Sequence, residues 1–162
     1  MTSLLNIKLL PFVLLAVTIP STCPDKGWRG IVPLRSTRID VERLLGVPDD
    51  KTTATYHLND ATVVFYYSHS RCDDEGWNIS PNTVISIAVY PKVRVKLADL
   101  KYDLSGYKKE HGDPDVWDHF YYRNEDCGLV ISVRGEVVDA YIYRPIKKDN
   151  DSFRCQRDLK RG

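Results

Sequence analysis

This sequence predicts an α+β domain with far more strand than helix: one short helix packed on a mainly antiparallel sheet of about six or seven strands. Three observations carry the prediction. Only the stretch Arg35–Asp49 combines helical periodicity with start and stop signals, whereas the residues C-terminal to it alternate apolar and polar at period two. The aromatic content leans to a strand former, with ten Tyr against four Phe and three Trp. Asn59-Asp60 and Gly135 each separate two alternating runs by a hairpin-length gap.

Before that domain comes a segment of different character. Met1 to Lys8 carries one positive charge, and Leu9 to Ile19 is an apolar run broken only by Pro11 and Thr18. The run is too short for a membrane-spanning helix, which needs ~20 residues. A basic start, a short apolar core and then Ser21 and Thr22 describe an export signal over residues 1–22. Pro11 and the helix-hostile tail Thr18-Ile-Pro-Ser-Thr22 weaken the alternative of a buried helix. Cys23 raises a lipid anchor, but the preceding Pro20-Ser-Thr22 is a poor lipobox, which would have Leu first and Ala or Gly last. A secreted or periplasmic product is therefore expected, with an N-terminal lipid anchor at Cys23 as the less favoured alternative. Residues 23–155 form the expected domain, and 156–162 are a charged tail.

Lys8 is the one charged residue among the first 22, so their removal leaves 22 basic and 22 acidic residues. A neutral chain offers no electrostatic case for nucleic acid or an anionic membrane as partner. No later segment reaches transmembrane length. The length suits one domain with a real core.

Four cysteines in an exported chain of this size imply two disulfides. Three pairings exist, and spacing alone does not select one. The favoured pairing is Cys127–Cys155. The last hairpin returns Tyr143 to the end of the sheet where Cys127 starts its strand, and the residues beyond Tyr143 can bring Cys155 back. Cys23–Cys72 then follows by elimination. There is no C-x-x-C, so neither a zinc knuckle nor a dithiol redox pair is indicated.

Taken in order, the elements have local causes. Residues 24–34 are a lead-in with Trp28, Ile31, Val32 and Leu34 to bury. Ser36 or Thr37 can cap the helix, and with Thr37 as cap Asp40 occupies the third position of a short capping box. Val41, Leu44 and Leu45 share a face, and Gly46 and Pro48 end the helix. Thr52 to Leu58 and Ala61 to Tyr67 form a hairpin. Ser68 to Asn82 is a long polar connection. Thr83 to Tyr90 alternates cleanly, and Val93 to Leu100 is a strand-like linker with a turn of helix. Tyr107 to His111 and His119 to Arg123 are strands around the loop Gly112–Asp115. Leu129–Arg134 and Val138–Tyr143 make the last hairpin, with Val138, Ala140 and Ile142 on one face and Tyr141 and Tyr143 on the other.

The pattern runs twice. Gly46-Val-Pro-Asp, Asp60, Val63-Val-Phe65 and Val84–Tyr90 are echoed by Gly112-Asp-Pro-Asp, Asp126, Leu129-Val-Ile131 and Val137–Tyr143. The half-repeats would run about 34–91 and 92–146, with offsets of 66 and later 53 and no second helix. Any two antiparallel hairpins share such alternation, so a repeat and two unrelated hairpins both stay open.

The segment Ser36-Thr-Arg-Ile-Asp-Val-Glu-Arg-Leu-Leu-Gly-Val-Pro48, a short capped helix closed by Gly-x-Pro before a Tyr-containing hairpin, resembles the small outer-membrane lipoproteins of the SmpA/OmlA type. It is also similar to the β-lactamase inhibitory protein, built from two helix-plus-sheet repeats. With its lead-in Gly27-Trp-Arg-Gly-Ile-Val-Pro-Leu34, the whole chain looks more like exported bacterial proteins of undefined function. The resemblance implies a helix-on-sheet repeat and a role in contacting other envelope or secreted proteins. The chain departs from the named families at the residues before Cys23, in the extra Ser68–Asn82 loop and in the missing second helix.

Chemistry is sparse. His57, His69, His111 and His119 form no metal-ligand spacing, and no nucleophile elbow, phosphate loop or dinucleotide fingerprint is present. His69, with Ser70, Cys72 and the acidic Asp73-Asp-Glu75, is the one place where a small secreted hydrolase could be built. The acidic turn reads more simply as solvated than as a calcium site. No cofactor, metal or catalytic residue is expected. The leading expectation is a non-catalytic module that binds another envelope or secreted protein through a Tyr-bearing sheet face, with Tyr90, Tyr141, Tyr143 and Trp77 as contact residues. The competing readings are the hydrolase and an anchored structural lipoprotein of the outer membrane.

Overall fold

The computed structural model describes residues 26–72 and 76–155. The order is α1 (Arg38–Leu45), β1 (Thr55–His57), β2 (Ala61–Tyr67), β3 (Val84–Pro91), β4 (Val95–Lys96), β5 (Lys108–His111), β6 (His119–Asn124), β7 (Leu129–Arg134), β8 (Val137–Tyr143) and α2 (Asp149–Phe153). Two single turns of 3-10 helix, Leu97–Asp99 and Leu104–Gly106, lie between β4 and β5. The α+β class is as expected, one main helix against an antiparallel sheet. The strand count rises to eight because the linker after β3 contributes the two residues of β4.

Thr37 caps α1, and the capping box forms: the Thr37 hydroxyl accepts the Asp40 N–H, while the Asp40 carboxylate accepts the Thr37 N–H at 2.8 Å. The helix stops at Gly46, whose N–H donates to the Glu42 carbonyl. Its buried stripe is narrower than the spacing predicts. Val41 is fully buried and Leu45 partly so, but Leu44 is 50% exposed and Ile39 67%.

The strands run β1-β2-β3-β8-β7-β6-β5 across the sheet, so that two meanders, β1–β3 and β5–β8, are joined at β3 and β8. That joint is short: Ile87 faces Tyr143, Ala88 faces Ile142 and Val89 faces Tyr141. Each meander carries a bulge at the same station. Ile85 is the extra residue of β3 opposite Tyr66 and Tyr67, and Asp139 is the extra residue of β8 opposite Ser132 and Val133.

The station of α1 is not empty in the second half. Residues 34–37 lie beside the start of β3 through Leu34 N–H to the Val84 carbonyl, Val84 N–H to the Ser36 carbonyl, and a Thr37–Thr83 bridge. In the same way β4 lies beside the start of β8, pairing Val95 with Val138 and Lys96 with Val137, and the first 3-10 turn comes directly after it. The difference is in the cap. Lys96 makes no side-chain cap hydrogen bond where Thr37 makes a full box, and only a single 3-10 turn follows it.

One face of the sheet is the core. Val63, Phe65, Ile87 and Val89 pack under Val41, and Leu129, Ile131, Val133 and Val138 pack under Leu97, Leu100, Tyr102, Leu104 and Tyr107. A smaller cluster of Leu34, Trp77, Ile79 and Ile85, with Phe153 against it, forms around the start of β3.

The C-terminal segment overturns the expected disulfides. Cys155 is bonded to Cys72, with Cα atoms 5.8 Å apart, rather than to Cys127. Cys127 is itself disulfide-bonded, and Cys23 lies outside the described residues, as do the expected signal and the tail 156–162. Reach alone points to Cys127, but packing carries the chain past it. Lys147 N–H bonds the Glu125 carbonyl, and Phe153 then joins the Trp77 cluster. The Arg154 guanidinium sits 3.7 Å over the Trp77 ring, and Cys155 N–H reaches the Gly76 carbonyl at 3.0 Å. Cys155 is thereby delivered to the Cys72 loop.

Candidate functional site

The face of the sheet turned away from α1 is the candidate site. Its composition is set by the register. Because Ile87 and Val89 face the core, Ser86, Ala88 and Tyr90 point the other way, opposite Tyr66, Val64 and Thr62 of β2. On the other side of the joint, Tyr121 of β6 stands opposite Ser132 of β7, which stands opposite Ala140 of β8. The middle of this face carries Ala88, Ala140 and Ser132, all buried, with Ile142 and the buried Val130 in the same row as Ala88. Tyrosines rise around them: Tyr66 is 51% exposed and Tyr90 40%, and Tyr121 is half-buried. Burial holds the Tyr90 hydroxyl above its ordinary pKa, and Tyr66, Asp139 and Tyr121 add to the shift as its nearby ionisable neighbours. Those three groups and Tyr90 form one cluster.

Charge frames the cluster on the β5 side. Glu110 accepts from Arg123 at 3.2 Å and lies 3.1 Å from Lys108, and both partners pull its carboxyl below the usual range. The sheet edges are poor templates for strand addition, since β1 has three residues and β5 reads Lys-Lys-Glu-His.

His119 and Ser132, on this face, resemble half of a catalytic pair but have the wrong polarity. The Nδ1 atom of His119 accepts the Asp113 N–H at 3.2 Å, so the ring proton sits on Nε2 and donates to the Ser132 hydroxyl at 2.9 Å. A base that activates serine must accept from it. Both side chains are buried, and the pair is a satisfied structural bond.

The sequence-predicted contact residues divide between places. Tyr90 lies on the outward face. Tyr141 and Tyr143 do not: they pair with Ile131 and Leu129 and pack against both core clusters. The bulge at Asp139 is the reason, because one extra residue reverses the alternation between Val138 and Ala140. Measured from the bulges, Val84, Ile87 and Val89 correspond to Val138, Tyr141 and Tyr143, a separation of 54 rather than 53. Trp77 is 5% exposed beneath Arg154, within the cluster around the start of β3. Tyr66 and Tyr121 are absent from the sequence-predicted set. For Tyr66 the signal exists, since Val63 and Phe65 alternate with Thr62, Val64 and Tyr66.

His69 is exposed in the Cys72 loop, and the acidic residues 73–75 beside it lie outside the described residues. Among the described residues no group of three His, Cys, Asp or Glu is placed to hold a metal ion. None of the described helices is long and apolar enough to cross a membrane.

Comparison with known proteins finds no matching family model and no matching curated protein. Among solved structures the chain is similar to a DUF4309 family protein, YjgB, from Bacillus subtilis, with a TM-score of 0.51 and 16% identity. The match covers 75% of this chain and 86% of that one. At that identity the likeness is one of fold alone.

Proposed function

We propose that this chain is an exported, non-catalytic module that docks another envelope or secreted protein on the outward face of its sheet. The observation that carries the proposal is the group of Tyr66, Tyr90 and Tyr121 standing around the buried Ala88, Ala140 and Ser132 on the face turned away from α1. Tyrosine offers large contact area with few rotamers to freeze, which is why it is enriched at binding hot spots. The short or charged edges favour contact through the face over strand addition. Export is supported by the N-terminal pattern of residues 1–22 and by the Cys72–Cys155 disulfide, which belongs to an oxidising compartment.

The test is site-specific photocrosslinking in cells that make the protein. A photoreactive residue at position 66 should give a discrete adduct that vanishes on Tyr90→Ser, while one at Ile39 on the exposed side of α1 should give none. Tyr90→Ser should still fold, with the thermal midpoint lowered by about 2–6 °C, because 40% of the residue stays exposed. An adduct that survives Tyr90→Ser refutes this surface, and equal adducts at positions 66 and 39 refute a specific one.

A further inference from the structure

We infer that a second site, a basic cleft beside the C-terminal segment, binds a small oxyanion carrying two or more charges. The cleft has a volume of about 240 Å³. Lys26 and Arg35 reach it from the lead-in, and Arg144 and Lys148 from the chain after β8. Four basic residues thus line one cleft in a protein whose net charge is only +1. The one carboxylate in the lining, Asp149, is 2% exposed and already committed. It accepts Arg35 Nη2 at 2.8 Å and the Ile146 N–H at 2.9 Å.

The commitment of Asp149 has two effects. It cancels one cation, leaving three in excess, and it holds the Arg35 guanidinium at the cleft, where Nη1 also donates to the Pro33 carbonyl at 3.5 Å and the fork lies 5.4 Å over the Phe153 ring. Arg144 is anchored by its backbone, its N–H donating to the Gly128 carbonyl at 2.7 Å. Among the described residues no carboxylate pairs with Lys26, Arg144 or Lys148. Uncompensated like charges gathered in a concave, partly apolar site focus a positive potential, and an anion of charge −2 or more is what relieves it.

Size selects the class. The cleft is below the ~300–1,000 Å³ usual for drug-sized ligands, and holds a phosphate group or an oligocarboxylate with few further atoms. The basic residues border one open cleft rather than a stripe, and the chain as a whole is near neutral, so a nucleic acid has nothing to track. The cleft shares no lining residue with the Tyr66–Tyr90–Tyr121 cluster, so the inference stands independently of the docking face.

Calorimetric titration of the whole chain at constant ionic strength tests it, with inorganic pyrophosphate, inorganic phosphate and citrate as probes and acetate as the singly charged control. One saturable site is expected for a phosphate probe or for citrate, at least tenfold tighter than acetate. The arm that saturates assigns phosphate or carboxylate chemistry. Arg144→Gln combined with Lys148→Gln should weaken that binding at least tenfold, and Lys26→Gln alone should weaken it if the double variant does not fold. No saturation with any of the three probes, equal binding of acetate, or parental affinity in the variants would overturn the assignment.

Discussion

Replacing Cys72 and Cys155 together by Ser removes the covalent clamp between the long loop and the C-terminus. The bond joins residues 83 apart in sequence, so the chain-entropy relation sets a ceiling of about 4.5 kcal/mol on its contribution at 25 °C. Native disulfides commonly deliver ~2–4 kcal/mol. The noncovalent part of the clamp remains in the variant: Arg154 over Trp77, Phe153 beside the Leu34 cluster, and the Asn78 N–H on the Phe153 carbonyl. With an unfolding entropy of roughly 2.1 cal/mol/K per residue, a domain of ~130 residues should lose about 7–15 °C in thermal midpoint. Scanning calorimetry of the double variant without reductant is the assay. Reductant is unsuitable, because Cys127 is also disulfide-bonded and its bridge would be cut too. A midpoint within 2 °C of the parent would show that packing alone holds the tail. A peptide linking Cys127 to Cys155 in a non-reducing digest would refute the pairing itself.

Other perturbations test separate parts of the fold. Thr37→Ala should cost about 1 kcal/mol in urea unfolding by removing the α1 cap. The Thr37 hydrogen bonds hold the Asp40 carboxyl below the usual range, so its contribution is present above pH ~4 and fades as pH falls through the lowered value. The stability gap between parent and Thr37→Ala should therefore narrow in acid, and a gap that widens refutes the capping account. Gly128→Ala should destabilise by more than ~1 kcal/mol, since Gly128 has φ +66° and an added Cβ would crowd the Arg144 carbonyl. The same variant should weaken oxyanion binding, and unchanged stability would show that β8 can shift there freely. Ser132→Ala should cost about 1–3 kcal/mol in urea unfolding by leaving the buried His119 Nε2–H without its acceptor. Unchanged stability would refute the assignment of the ring proton to Nε2.

Features with local causes are legible in the sequence. Thr37, Asp40 and Gly46 announce α1, and the alternation of Ala61–Tyr67 and of Leu129–Arg134 announces β2 and β7. The illegible part depends on cross-strand register. The bulges at Ile85 and Asp139 leave no mark in the hydrophobic alternation, yet the second turns Tyr141 and Tyr143 into the core and removes two of the expected contact residues. Tyr90 keeps its outward position because it comes after the last core residue of its strand, Val89, without a further bulge. Its neighbour Tyr121 becomes visible only when β6 is placed across β7. The disulfides fail for a related reason. Reach along the chain is arguable from spacing, whereas the affinity of Phe153 and Arg154 for Trp77 is a tertiary fact.

The narrow joint between β3 and β8 bears on how the chain folds. Each meander closes through connections to its immediate neighbours, but the three pairs that unite them bring together residues more than fifty apart in sequence. Two locally formed sheets that then dock is the order that loop-closure entropy favours. Tyr141 and Tyr143, which touch both core clusters, would then be buried last. Tyr141→Leu should accordingly speed unfolding while leaving the folding rate nearly unchanged, and a stopped-flow chevron with both arms displaced would exclude that sequence of events. The two side chains expected to greet a partner protein instead fasten the two halves of this one together.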